Sequence, residues 1–161
     1  MARDHARVKT SIWDDPDFLG LKVVEQHAYL MLMSNKALSY CGVLDFIPSR
    51  FDHLAADLTV NRFRAAIAGL RAARFVVLDE RTQELLLRSY VRHDGVLDRL
   101  NMGKATGTAV EAVVSDAIRD AIGDELARLM KDRPDLPGWV GLATTSPMAH
   151  AMACGMESAK R

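Results

Sequence analysis

Cysteine is scarce in this chain of 161 residues: only Cys41 and Cys154, far apart in sequence. Neither has a metal-ligating neighbour at useful spacing, so reduced structural thiols in a cytoplasmic protein are expected, rather than a disulfide scaffold or a metal centre. Long apolar runs are missing. No stretch reaches the roughly 18 residues that a membrane-spanning helix needs. The opening MARDHARVK is followed by no signal-type apolar core, so nothing marks export. Net charge is also missing, with 21 basic residues against 21 acidic. That balance argues against a strongly non-specific polyanion binder, whose affinity comes from neutralising phosphates. Phosphate loops of the GxxxxGK type, serine elbows and paired catalytic carboxylates are absent. His27, His53 and His93-Asp94 stand at no HxH or HxxxH spacing, so they read as core, surface or capping residues. The expectation is no enzyme, no cofactor and no metal.

What is present is ordinary globular usage, 49% hydrophobic and 26% charged, with the charge polarised. Pro48 to Arg74 holds five arginines against two aspartates, and the amino-terminal arm holds Arg3, Arg7 and Lys9 against Asp4. That arm suits either a phosphate or minor-groove contact or a merely frayed end. Acids collect at Asp14, Asp15 and Asp17 and from Glu111 to Asp132. Arg7 to Trp13 alternates as an edge strand would. Asp15 followed by Pro16 predicts a capped helix start. Leu21 to Ser34 is apolar on almost every side and predicts a buried core helix.

Residues 43–91 carry the most informative pattern. Gly42 permits a turn, and Val43 to Ile47 predicts a short strand. Pro48-Ser49 opens a helix whose Phe51, Leu54, Ala55 and Leu58 share one face. Thr59 caps a second helix, about residues 60–73, with Phe63, Ala66, Ile67 and Leu70 on its inner face. The outer side carries Asn61, Arg62, Arg64, Ala65, Ala68 and Arg71. Arg74 follows, and there is no acid throughout. Phe75–Asp79 and Leu85–Val91 predict a hairpin, whose polar tip Glu80–Glu84 holds two acids and one arginine and so suits phosphate poorly. A strand, two helices and a hairpin in that order is the sequence shape of a winged helix-turn-helix. An acid-free arginine helix beside a hairpin is most simply a reader of DNA. Thr59, Asn61, Arg62, Arg64 and Ala65 would enter the major groove, with Arg50, Arg71 and Arg74 at phosphates.

Beyond Arg92–Gly95 a glycine-punctuated linker, Asn101 to Gly107, leads to one long helix over about 108–131. Its wide apolar stripe demands a partner, either its own domain or a second copy in a homodimer. Pro134 stops it, and the Met-rich stretch from Asp135 onward reads as irregular. Three parts are expected: a winged domain with its arm over residues 1–100, a long helix over 101–133 and a flexible tail over 134–161. The fold class is α+β, mostly α.

The segments IWDDPDFLGL, SYCGVLDFIPSRFDHLA and FVVLDERTQELLLRSYVRHDG resemble the winged helix-turn-helix proteins of actinobacteriophages and prophages. More distantly they are similar to the amino-terminal domains of phage replication-initiator and replisome-organiser proteins. The similarity runs from about Val8 to Met130. It implies double-stranded DNA binding in transcriptional regulation or replication, with Thr59, Asn61, Arg62 and Arg64 at the start of the recognition helix. Neutral charge and the acidic hairpin tip motivate a different reading: a non-enzymatic interaction protein that grips a host or phage protein through its carboxyl-terminal helix and tail.

Overall fold

The structure, a computed structural model, describes residues 5–147. Arg3, Cys154 and the second half of the expected tail, residues 148–161, lie outside the described residues. The chain forms two compact units. One comprises residues up to Leu38 together with Leu44–Leu87, and the other comprises Ser39–Val43 with the residues from Arg88 onward. The architecture is α+β, with seven α-helices and one three-stranded sheet among the described residues. None of these helices is long and apolar enough to cross a membrane.

In the first unit the expected strand at Arg7–Trp13 does not form. Thr10–Asp14 is a 3-10 helix with no buried residue. A strand without a buried face or a ladder partner has nothing to hold it extended. Asp15 then caps α1 (Pro16–Leu19), its carboxylate accepting from the backbone N–H of Asp17 at 2.9 Å and of Phe18 at 3.4 Å. Phe18 is fully buried and meets Trp13, Tyr29 and Phe75 edge to face. α2 (Val23–Met33) buries Ala28, Tyr29, Leu32 and Met33 but leaves Val23 exposed, so it is a one-sided helix and not a fully buried one. Its buried Glu25 accepts from the Lys22 backbone N–H at 2.8 Å and lies against Gly69, where any Cβ would strike the carboxylate.

β1 (Val43–Asp45) forms as expected, but the helix expected after Pro48 does not. Pro48–Arg50 is one 3-10 turn, followed by separate turns closed by Leu54 N–H to Phe51 O and Leu58 N–H to Ala55 O. Only Phe51 and Leu58 of the supposed stripe are buried, while Leu54 is exposed. A short segment carrying Asp52, His53 and Asp57 gains too little from α-turns without a continuous buried face. Phe51 is instead held by stacking on Phe63 at 4.6 Å.

α3 (Val60–Ala72) agrees closely with its expected pattern. Thr59 Oγ1 accepts from the Arg62 N–H at 3.2 Å, and Phe63, Ala66, Ile67 and Leu70 are buried. The helix ends in a Schellman turn: Phe75 N–H donates to Leu70 O and Arg74 N–H to Arg71 O, with Arg74 at φ 64°. β2 (Val76–Asp79) and β3 (Glu84–Leu87) pair antiparallel from Val76↔Leu87 to Asp79↔Glu84. The strand order β1-β3-β2 puts β3 in the centre, where all four of its residues are buried.

In the second unit the run expected to continue as strand to Val91 turns into α4 (Tyr90–His93), and Gly95 follows at φ 73°. The single long helix is two: α5 (Leu100–Glu111) and α6 (Asp116–Asp132). Ser115 separates them as a cap, its buried hydroxyl accepting from Ile118 N–H at 3.3 Å with Asp116 in the first turn. Arg119 closes the α5 end by donating from Nε (2.9 Å) and Nη2 (2.7 Å) to Val113 O. The expected linker 101–107 is the first half of α5. Its Gly103 and Gly107 are buried contact points where a Cβ would meet Gly138 and Thr145. Those partners lie on α7 (Gly138–Thr145), a helix in the stretch expected to be irregular. Gly141 likewise abuts the Leu100 carbonyl, so α5 and α7 meet backbone to backbone.

Candidate functional site

A helix advances about 100° per residue. With Phe63, Ala66, Ile67 and Leu70 inward, the opposite face of α3 is Asn61, Arg64, Ala65, Ala68, Arg71 and Ala72, all exposed. Alanines form a shallow floor, and Arg64 and Arg71 stand on it two turns apart. Neither arginine has an ion-pair partner among the described residues. The floor continues into a cleft of about 370 Å³ lined by Arg64, Ile67, Ala68, Arg71 and Ala72 of α3 and by Phe46, Leu78 and Glu80 from the sheet side. Phe46, Leu78 and Glu80 were not among the expected site residues. Only the tertiary fold brings them to the helix.

The remaining expected residues divide. Thr59 is exposed and occupied as the cap. Arg62 lies about 100° round from Asn61, off the Arg64–Arg71 stripe. Its Nη1 donates to Asp57 O at 2.6 Å and to Asp57 Oδ2 at 2.5 Å. The Arg62 guanidinium in turn holds the Asp57 carboxyl below its usual range, first through that hydrogen bond and then through its charge. Arg62 is thus already committed, and its charge is offset locally. Arg50 stands 3.9 Å from Asp45, a loose exposed pair. Arg74 is exposed but serves as the left-handed stop of α3. Arg7 and Lys9 are exposed beyond the first turn of structure.

The hairpin tip is less acidic than it reads. Glu84 is buried in the ladder, leaving Glu80 exposed beside Arg81, which is 3.9 Å from Asp79. The tip surface is therefore balanced rather than negative. Among the described residues no group of three His, Cys, Asp or Glu side chains could hold a metal ion. Chemically the α3 face offers one amide and two planar forks that no described residue pairs with, and the small residues between them permit close approach of a flat or grooved polyanion. No protein-family model matches the chain, and neither a curated protein nor a solved structure does.

Proposed function

We propose that the chain is a winged helix-turn-helix protein that binds double-stranded DNA through α3, acting in the cytoplasm in transcriptional regulation or replication. The reading is carried by one observation: Arg64 and Arg71 project from a single exposed face of α3, a helix with no acid of its own, with only alanine between them on that face and Glu80 lining the adjoining cleft. The order α2, β1, turns, α3, β2, β3 and the placement of β1 beside β3 support the winged assignment. In this reading Arg64 forks onto guanine O6 and N7, Asn61 pairs with adenine, and Ala65 and Ala68 let the helix settle into the major groove. Arg71 and Arg50 contact phosphates and position without specifying. Arg62, tied to Asp57, moves from the reading set to a supporting place.

Duplexes selected from genomic fragments, titrated by fluorescence anisotropy, test this. Arg64→Ala should cost about 1–3 kcal/mol of binding to the selected duplex while far-ultraviolet circular dichroism stays unchanged. Arg71→Ala should weaken selected and random duplexes alike. Full binding by the double variant would overturn the assignment. The interaction-protein reading and the homodimer seam along 108–131 gain less support, because Ile118, Ile122, Leu126 and Leu129 are already buried in a single copy.

A further inference from the structure

Glu125 of α6 is 3% exposed, yet three arginines converge on it. Arg88, just past β3, donates from Nε to Oε1 at 3.0 Å, and Arg92 of α4 sets its Nε 3.3 Å from Oε2. Arg128, one turn along α6, donates from Nη1 to Oε1 as well. No other described acid pairs with these three arginines. One guanidinium would neutralise a buried carboxylate. The second and third add mutual repulsion and leave the cluster at +2. Arg88 is hydrogen-bonded through Nε and Arg92 is ion-paired through Nε without a hydrogen bond to Oε2, so the terminal nitrogens of both remain undirected by any described partner. The arginine side chains keep 29%, 31% and 46% of their exposure, so the donors reach solvent while the carboxylate does not.

We propose that Arg88, Arg92 and Arg128, clamped by Glu125, form a binding site for a phosphate group. A phosphate fits better than a carboxylate on two counts. A monoester or pyrophosphate brings two or more charges to the +2 surplus, where a DNA diester brings one per phosphate, and the several oxygens of either accept parallel forks from more than one guanidinium at once. The Glu125 clamp fixes the forks in advance, so binding does not have to order three long side chains. This site is built wholly within the second unit and does not depend on α3 of the first unit binding DNA.

Isothermal titration of the full chain with inorganic pyrophosphate at constant ionic strength tests it. One pyrophosphate should bind per chain, and Arg92→Gln and Arg128→Gln should each weaken it by about tenfold or more. Lys131→Gln, an equal charge change on the same helix, should leave it unchanged. Should either arginine variant fail to fold, the unmodified chain decides. Millimolar pyrophosphate should raise its melting temperature, as any ligand selective for the native state does. A second arm finds the source of the phosphate. If DNA backbone is the occupant, Arg92→Gln should lower the salt slope on a random duplex by about 0.9. An unchanged slope with lost pyrophosphate binding would identify a free phosphate compound. Two results overturn the proposal: no pyrophosphate binding or thermal shift in the unmodified chain, or binding that persists in the arginine variants.

Discussion

At the scale of single residues, the Asp57–Arg62 pair decides how much cation α3 can offer. Asp57→Asn should release Arg62, add a net positive charge and tighten binding to random duplex, and the same anisotropy titration reads it. Arg62→Ala should cost less than Arg64→Ala, because Arg62 starts from an internal partner. The pair also sets a direction in pH. Asp57 has a folded-state pKa below its unfolded one, so its contribution is present above the ordinary carboxylate range and fades as pH falls through the lowered value. Asp57→Asn should therefore flatten the acid limb of the stability curve measured by urea titration. Caps were legible because they are local: Asp15 and Thr59 each bond within three residues. The Arg62 pairing was not legible, since a separation of five residues across a turn matches no helical spacing, and charge counting treats the two as independent.

At the scale of elements, periodicity succeeded where a continuous buried stripe exists and failed where apolar residues merely recur. The stripe of α3 is buried at all four of its positions, whereas the stripe of 51–58 is buried only at Phe51 and Leu58. The break between α5 and α6 is hidden in the sequence because apolar residues continue across it, from Val110 through Val113 to Ile118. Ser115 with Asp116 is a start signal that such continuity hides. Ser115→Ala should cost about 0.5–2 kcal/mol in chemical denaturation, toward the upper end because the hydroxyl is fully buried. Gly103, Gly107, Gly138 and Gly141 look like punctuation in sequence, but they stand inside helices at points of closest approach.

At the scale of the whole chain, the partition was not legible, because neither unit is one continuous stretch. Ser39–Val43 groups with the residues from Arg88 onward, although the chain on either side of it belongs to the other unit. Its turn is closed by Ser39 N–H to Val43 O at 2.9 Å, and Val43 N–H donates to Ser39 Oγ at 3.0 Å. Gly42 at φ 85° leaves no room for a Cβ beside Tyr90. A chain ending at Leu87 should therefore lose this support. Hydrogen exchange should show faster exchange of the Ser39 and Val43 amides than in the full chain. Unaltered protection would mean that the turn stands on its own local bonds. The Arg88–Arg92–Arg128 cluster was hidden for the same reason. Arg88 with Arg92, and Glu125 with Arg128, are visible as neighbours, but the separation of 37 positions from Arg88 to Glu125 is closed only by folding.

The glycine contacts between α5 and α7 have a consequence for how this sequence can drift. In most cores, trimming a side chain leaves a hole, and enlarging one is sometimes absorbed by a neighbour's rotamer. Along this seam nothing remains to trim, and the opposing atoms at Gly103, Gly138 and Gly141 include main chain with no rotamer to change. The smallest genetic step at these codons therefore demands that a whole helix retreat. Descendants of this sequence can vary freely around the seam but scarcely within it.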